Sequence, residues 1–257
     1  MSVWCLGLCL AFWMDGAGEP PGAYVLCGGG TLPPAARERF LSLAGGAKAV
    51  IVVIPTASAA ADNPDERESF LAPWQRLGPA RVVWLHTRDR KEADTDAFCQ
   101  CLTSATGVWI SGGDQSRLTS TYLGTRTEAA LRGVLRRGGV VGGTSAGAAV
   151  MGHPMIRGGQ TQADLGPGFG LLPQTIVDQH FFKRQRESRL KDALSQHPRL
   201  RGLGIDEDTA VVIHAGRLEV LGRSAVKLYQ RPEPNGPWVE QLIKANDSVP
   251  FSLGGRP

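Results

Sequence analysis

Ser145 lies among small residues in a pattern typical of a nucleophilic serine. The run Gly143-Thr144-Ser145-Ala146-Gly147 matches G-x-S-x-G directly after an apolar stretch. Small residues permit a sharp turn between strand and helix, which exposes the serine hydroxyl and leaves the next amide free to meet an oxyanion. A plain strand-to-helix connection or a phosphate loop is the alternative, although the G-K-[ST] of a nucleoside-triphosphate loop is absent.

A serine nucleophile needs a base, and an imidazole is the usual one. The chain has five histidines, which are His86, His153, His180, His197 and His214. We favour His180 because it ends the apolar run Ile176-Val177 within the polar cluster Asp178-Gln179-His180, at a predicted strand terminus. Open α/β sheets place their sites at such termini. A lone histidine there is often structural, so the assignment depends on Ser145.

Three consecutive acids, Asp206-Glu207-Asp208, stand at the head of an apolar strand. Desolvation disfavours carboxylates there unless they have partners, and a catalytic imidazole needs one carboxylate to fix its tautomer. Alternation along a strand places Asp206 and Asp208 on one face and Glu207 on the other. The pattern leaves the choice of face open, and a solvated turn is the alternative.

Apolar runs bounded by Gly and Pro alternate with helical patterns, as in a parallel sheet covered on both faces. Strands are predicted at residues 23–27, 49–54, 81–85, 107–110, 140–141 and 176–181. Helices are predicted at residues 34–43, 65–77, 94–103, 126–137 and 183–196. Residues 209–214 and 217–221 are predicted to form a hairpin across Ala215-Gly216. The predicted fold class is therefore α/β, with a doubly wound, mostly parallel sheet, helices on both faces and a C-terminal β-hairpin.

Composition limits the remaining possibilities. With 257 residues, 42% of them hydrophobic and 20% charged, the chain is predicted to be a single globular domain over residues 22–257, preceded by an extension of residues 1–21. The apolar run at residues 3–14 has signal-peptide length but no basic residue ahead of it. We expect a cytoplasmic protein, with secretion as the alternative if residues 1–20 act as a signal.

Charge and cysteine usage indicate neither a polyanion partner nor a zinc site. The net charge is +4 without a long Lys/Arg run, so we expect no nucleic-acid or membrane partner. The five cysteines are odd in number and include no C-x-x-C pair, which fits reduced thiols better than a disulfide framework.

Four motifs, in this order and at these separations, resemble the cyanophycinases, within a wider group of serine peptidases that includes aspartyl and isoaspartyl dipeptidases. The matching segments are Ser111-Gly112-Gly113-Asp114-Gln115, residues 143–151, Asp178-Gln179-His180-Phe181 with Arg184, Arg186 and Arg189, and residues 204–210. The resemblance covers roughly residues 28–214. It implies a catalytic triad of Ser145, His180 and Glu207, and an oxyanion hole from the backbone amides of Gly113, or its neighbour Gly112, and Ala146.

The resemblance also implies a substrate and an assembly. It predicts a serine exopeptidase acting on β-aspartyl linkages, which releases β-Asp-Arg dipeptides from cyanophycin, a poly-aspartate backbone with arginine on each side-chain carboxylate. No metal or organic cofactor is implied, and a homodimer is expected. An isoaspartyl or α-aspartyl dipeptidase is the first alternative, and an inactive binding protein on the same scaffold is the second.

The residue types near the motifs suit such a substrate. Arginine binds carboxylates through paired hydrogen bonds, and Arg186 and Arg189, three apart, are predicted to share a helix face. Asp178 is predicted to hold a cationic group, and Gln115 and Gln179 to supply neutral hydrogen bonds. The predicted substrate-binding residues are Gln115, Asp178, Gln179, Arg184, Arg186 and Arg189. A solvated helix face with Glu187 as the partner is the alternative for the arginines.

Overall fold

A computed structural model describes residues 22–231, 233 and 236–253, so the predicted extension at residues 1–21 lies outside the described residues. The strands are β1 Ala23–Cys27, β2 Val50–Ile54, β3 Arg81–Trp84, β4 Gly107–Ile110, β5 Val140–Thr144, β6 Met155–Gly158, β7 Asp164–Gly166, β8 Thr175–Gln179, β9 Arg201–Ile205, β10 Thr209–His214, β11 Arg217–Gly222, β12 Ala225–Gln230, β13 Val239–Lys244 and β14 Ser248–Pro250. The α-helices are α1 Pro34–Leu43, α2 Arg67–Gln75, α3 Arg90–Ala93, α4 Asp96–Cys99, α5 Gln115–Tyr122, α6 Arg126–Arg136, α7 Ala146–Ala149 and α8 Glu187–Gln196.

An eight-stranded sheet forms the centre, in the order β14-β11-β10-β1-β5-β4-β2-β3. Strands β1, β5, β4, β2 and β3 are parallel, and β10, β11 and β14 extend the sheet in antiparallel fashion. Phe40 of α1 and Trp74 of α2 cover one face, and Leu131 of α6 packs on the other. The predicted fold class is confirmed, and the carboxyl ends of β1, β4 and β5 meet at one edge of the sheet.

Strand β5 is longer than predicted because two of its positions are glycines, where any larger residue would clash with the neighbouring strands. A Cβ atom on Gly142 would lie 2.7 Å from the Val25 carbonyl oxygen and 2.8 Å from the Trp109 ring. The strand therefore continues past residue 141 to Thr144 and delivers Ser145 to the sheet edge.

A second sheet, in the order β13-β12-β9-β8, was only partly predicted. Strand β9 was not predicted because two of its five residues, Gly202 and Gly204, are weak strand formers. Both are needed: a Cβ atom on Gly202 would contact Leu194, and one on Gly204 would enter the Phe181 ring at 2.6 Å. The β6–β7 hairpin, β12, β13 and β14 were also missed, whereas the β10–β11 hairpin is present, with Ala215 and Gly216 both at positive φ.

Three helical segments differ from the prediction. The helix predicted at residues 183–196 begins at Glu187, because Gln185 has a φ of 51° and the Asp206 carboxylate holds the amides of Phe182 and Lys183 in a turn. Helix α5 was not predicted, and Asp114 caps it by accepting a hydrogen bond from the Ser116 amide at 2.8 Å. The prediction at residues 94–103 corresponds to α4 followed by a 3₁₀ turn.

Within the described part of the chain, no helix combines the length and apolar character needed to cross a bilayer.

Candidate active site

Ser145, His180 and Glu207 form one hydrogen-bonded chain. The Ser145 Oγ lies 2.8 Å from His180 Nε2, and His180 Nδ1 lies 2.6 Å from Glu207 Oε1. Because a carboxylate only accepts hydrogen bonds, Nδ1 carries the proton and donates it to Glu207. The lone pair of Nε2 therefore faces the Ser145 hydroxyl, which is the tautomer that a general base requires.

Ser145 has a backbone conformation that lifts its side chain above the sheet edge. Its φ is 52° and its ψ is −110°, between the end of β5 and the start of α7. A non-glycine residue in this region is strained and is retained only where the surroundings enforce it. Here the Ser145 amide donates to the Cys27 carbonyl at 2.9 Å, and a Cβ atom on Gly147 would lie 2.1 Å from the Ile110 carbonyl oxygen.

Three consecutive carbonyls at the end of β1, those of residues 27 to 29, each accept a hydrogen bond from one segment of the site. The Cys27 oxygen accepts from the Ser145 amide, the Gly28 oxygen from the His180 amide at 2.7 Å, and the Gly29 oxygen from the Asp208 amide at 2.9 Å. One short segment of backbone thus holds the serine, the imidazole and the acidic turn in fixed positions relative to one another. The role of this segment was not predicted, although three glycines directly after a buried strand were a signal for it.

Each of the three acids has a separate partner, which explains why they occur together. They occupy the connection between β9 and β10. Asp206 accepts from the amides of Phe182 and Lys183 and from Ser224 Oγ. Asp208 accepts from the Thr31 amide at 2.6 Å, and Glu207 alone reaches His180.

The two amides predicted to form the oxyanion hole flank Ser145. Gly113 lines the same cleft as Ser145 and His180, and Ala146 is the residue after the nucleophile. Among the hydrogen bonds of the described residues, neither the Gly113 nor the Ala146 amide has an acceptor. Gly112 lies alongside, since a Cβ atom on it would be 3.3 Å from the Ser145 Cβ.

A cleft of about 500 Å³ opens above the serine and is rich in cations. Its basic residues are Arg157, Arg184, Arg186 and Arg189. Arg184 is exposed and has no side-chain partner among the described residues, whereas Arg157 pairs with Asp164 at 2.5 Å. No pattern in the sequence had pointed to Arg157, which reaches the cleft from β6.

The two glutamines each have one side-chain group already engaged. Gln115 Nε2 donates to the Arg157 carbonyl at 2.7 Å and to the Ile156 carbonyl at 3.2 Å, which fixes β6 beside the cleft. Gln179 accepts from Arg186, whose guanidinium also binds the Gln179 carbonyl at 2.7 Å. Gln115 is therefore left with its Oε1 acceptor, and Gln179 with its Nε2 donor, to offer a ligand.

Asp178 and Arg189, both predicted to contact a ligand, pair with each other. Asp178 is 1% exposed and does not line the cleft. Its carboxylate accepts from Arg189 at 2.5 and 2.8 Å, while Arg189 Nη1 donates to the Gly159 carbonyl at 2.9 Å. Asp178 does hold a cation, but the cation is Arg189, and this buried pair ties the β6–β7 hairpin to α8. Glu187, the alternative partner, pairs instead with Lys191 and Tyr229.

Replacing Arg189 with methionine should lower the free energy of unfolding by about 3–5 kcal/mol, because it leaves the buried Asp178 carboxylate without its ion-pair partner. Chemical denaturation measures the change. The double variant Asp178→Asn with Arg189→Met should recover part of the loss. The control is Arg126→Met, which breaks an exposed pair with Asp96 and should leave the midpoint near that of the unmodified protein. Equal midpoints for the two single variants would contradict a structural role for the Asp178–Arg189 pair.

Burial and charge set the protonation of the site. Burial lowers the pKa of His180; Glu207 raises it through its hydrogen bond, and Arg184 and Arg186 lower it further. The imidazole is therefore neutral, and able to accept a proton, at neutral pH. Burial also lowers the pKa of Arg186 to about 10, with Arg189 and Arg184 contributing, so Arg186 still carries its charge there.

Comparison with known proteins identifies similar chains. The profile of Peptidase family S51 matches residues 25–221. A protein named cyanophycinase from Geminocystis herdmanii (strain PCC 6308) is 38% identical over 200 residues, which are 74% of this chain and 73% of that relative. A cyanophycinase from Trichormus variabilis (strain ATCC 29413 / PCC 7937) is 38% identical over 203 residues, which are 76% of this chain and 67% of the relative.

Solved structures include a similar fold. The crystal structure of a peptidase from an acI-B1 Actinobacterium superposes with a TM-score of 0.71 and 28% sequence identity, and the match covers 90% of this chain and 97% of that one.

Proposed function

Because the chain belongs to peptidase family S51 and is a serine-type peptidase, we propose that it degrades cyanophycin as an exopeptidase that releases β-Asp-Arg dipeptides. In this proposal Ser145, His180 and Glu207 are the catalytic triad. The family match spans residues 25–221 and so includes all four motifs that carried the resemblance. The observation that carries the proposal is the hydrogen-bonded chain from Ser145 through His180 to Glu207, at the floor of a cleft lined by arginines.

The proposed reaction is acyl transfer in two halves. Ser145 Oγ bonds to the aspartyl carbonyl carbon while its proton passes to His180 Nε2, and Glu207 stabilises the imidazolium. The Gly113 and Ala146 amides stabilise the oxyanion. His180 then protonates the leaving amine as the C–N bond breaks. Water attacks the acyl-enzyme, gives its proton to His180, and Ser145 recovers that proton as it leaves.

Product chemistry defines which bond is cut. Release of β-Asp-Arg leaves the β-link to arginine intact, so the bond attacked in the polymer is an aspartyl bond of the backbone and not the β-aspartyl linkage that the resemblance predicts. In an isoaspartyl dipeptide it would be the β-link itself. These two bonds distinguish the proposed activity from its first alternative.

The charge of the cleft supports a substrate with several carboxylates. The terminal unit of cyanophycin has a free main-chain carboxylate on its aspartate and a second on its arginine. Arg184 is exposed and has no side-chain partner within the described part of the chain, and Arg186 lies beside it at the start of α8. We assign carboxylate binding to these two residues, with Gln115 Oε1 and Gln179 Nε2 as neutral contacts.

The test is mass spectrometry of the products after the purified protein is mixed with cyanophycin, with the Ser145→Ala variant as the control. Release of β-Asp-Arg by the unmodified protein alone is the expected result. An intact polymer together with cleavage of β-Asp-Leu would favour the dipeptidase. An intact polymer, intact dipeptides and no reaction of Ser145 with a serine-directed reagent would favour a binding protein.

The lowered pKa of His180 predicts a pH dependence. Below its pKa His180 is protonated and cannot accept the serine proton, so kcat/KM is present above that pKa and is lost as the pH falls through it. Arg184 helps to keep the pKa low. The Arg184→Gln variant should therefore raise the pKa of His180 and move the acid limb of the kcat/KM profile to higher pH.

The matched control for this shift is Arg199→Gln. Arg199 is exposed just before β9, at the opposite end of the β8–β9 pair from His180. Its acid limb should coincide with that of the unmodified protein. An acid limb for Arg184→Gln that stays in place or moves to lower pH would contradict the assignment of His180 as the base.

A further inference from the structure

Arg88 binds the backbone of a turn that lies behind the proposed oxyanion hole. The turn, Pro55 to Ser58, follows β2 and is closed by a hydrogen bond from the Ser58 amide to the Pro55 carbonyl at 2.8 Å. Arg88 Nη1 donates to the Thr56 carbonyl, and Nη2 donates to the Ser58 carbonyl at 2.7 Å. One guanidinium thus binds the carbonyls of the two residues that flank Ala57.

Ala57 is in direct contact with Gly113. The Asp114 amide donates to the Ala57 carbonyl at 2.9 Å, and Arg117 Nη1 reaches the same oxygen at 3.5 Å. A Cβ atom on Gly113, whose φ is 139°, would lie only 2.2 Å from the Ala57 oxygen. The position of the Ala57 carbonyl therefore fixes where the Gly113 peptide can lie.

The guanidinium is itself held in place. Asp62 accepts from Arg88 Nε at 2.9 Å and from Nη2 at 3.0 Å. His86 joins this group to the turn, because its Nε2 lies 3.1 Å from Asp62 Oδ1 and its Nδ1 lies 2.9 Å from Thr56 Oγ1.

Thr56 forms the inner end of this network. Its hydroxyl also lies 2.7 Å from the Tyr122 hydroxyl, and both residues are fully buried. Thr56 is therefore inaccessible as a nucleophile, although the order Thr56, His86, Asp62 resembles a catalytic triad. The network holds the backbone of the turn in place.

We propose that Arg88 is a positioning residue for the oxyanion hole, because it fixes the turn at Ala57 against which the Gly113 amide is set. This rests on the proposed function, in which the Gly113 amide stabilises the oxyanion. Arg88 does not line the cleft above Ser145, so it acts through the backbone of residues 56–58. Loss of the Arg88 guanidinium should weaken the stabilisation of the transition state and leave substrate binding nearly unchanged.

The test compares Arg88→Gln with Arg90→Gln. Glutamine cannot bind two carbonyls and Asp62 together, so the Ala57 carbonyl and the Gly113 amide should lose their fixed relation. A displacement of about 1 Å near the chemistry costs on the order of a hundredfold in rate. We expect kcat to fall about tenfold to a hundredfold and KM to stay within about twofold. Arg90 is a nearby exposed arginine that donates a hydrogen bond to the Ser120 carbonyl at 3.5 Å. The Arg90→Gln variant should retain full activity.

A second readout does not depend on the natural substrate. The rate at which an aryl phosphonate reacts with Ser145 reports stabilisation of a tetrahedral oxyanion, and it should fall in Arg88→Gln in parallel with kcat. Arg88→Lys, which keeps the charge without the planar fork, should recover only part of both rates. Asp62→Asn combined with Arg88→Gln should be little worse than Arg88→Gln alone, because the two residues form one unit.

Three results would overturn the proposal: unchanged kcat in folded Arg88→Gln, a raised KM at constant kcat, or a loss of phosphonate reactivity no greater than the loss of folded protein measured by circular dichroism. Failure of the proposed function has a different signature, since the unmodified protein would then release no β-Asp-Arg. The phosphonate rates of the unmodified, Arg88→Gln and Arg90→Gln proteins still decide the role of Arg88 in that case.

Discussion

The Ser145→Ala variant is expected to release β-Asp-Arg from cyanophycin about 10⁴- to 10⁶-fold more slowly than the unmodified protein, with a melting temperature that stays close to its own. Alanine removes the only atom that is to bond to the substrate carbon. The arginines of the cleft and the free amides of Gly113 and Ala146 remain, so substrate binding should persist. Turnover by liquid chromatography and affinity by calorimetry separate these two effects.

The matched control is Ser188→Ala. Ser188 is exposed on α8, close to the arginines, and takes part in no side-chain hydrogen bond among the described residues. That variant should keep full activity. A double variant, Ser145→Ala with His180→Ala, should be no slower than Ser145→Ala alone, because the members of a triad act as a unit. Substantial turnover by Ser145→Ala would remove Ser145 from the mechanism.

Gly29→Ala is expected to lower kcat at least about a hundredfold, although Gly29 bears no reactive group. Its φ is 115°, and an added Cβ atom would lie 2.2 Å from His180 Cε1 and 2.7 Å from both ring nitrogens. The ring must move, and the 2.8 Å and 2.6 Å contacts with Ser145 and Glu207 cannot both survive. Steady-state kinetics and the rate of phosphonate labelling of Ser145 measure the loss.

Gly46→Ala provides the control for backbone strain. Gly46 also has a positive φ, 62°, but an added Cβ atom would meet nothing within 4 Å. Both variants should lose some stability through the unfavourable φ, and only Gly29→Ala should lose activity at a temperature where both are folded. Equal activities would show that the imidazole tolerates the methyl group, and the proposed importance of its position would be wrong.

Local sequence patterns were sufficient to locate the parallel strands of the central sheet and the position of Ser145. Residues 23–27 and 107–110 were predicted with the bounds that the structure has, because a strand buried on both faces must be apolar at nearly every residue. The glycines and alanines around Ser145 likewise reflect a local requirement for close backbone packing. The strands of the second sheet were largely missed. In β9, Gly202 and Gly204 leave room for α8 and Phe181, and no nearby residue in the sequence indicates these contacts.

The sequence by itself determined the chemical groups: a serine in a tight turn, a histidine at a strand end and three acids at the head of a strand. Alternation along the strand left open which acid meets His180, because it assigns each side chain to one of two faces without identifying the residues that each face contacts. Only the tertiary structure decided that Asp206 anchors the turn after His180, that Asp208 binds Thr31 and that Glu207 orients the imidazole. It also decided that Asp178 pairs with Arg189 beneath the cleft lining, while the exposed Arg184 has no side-chain partner among the described residues. The physical reason is that these contacts depend on distances across the fold, which join residues as far apart as Thr31 and Asp208, 177 positions, and have no local signature in the sequence.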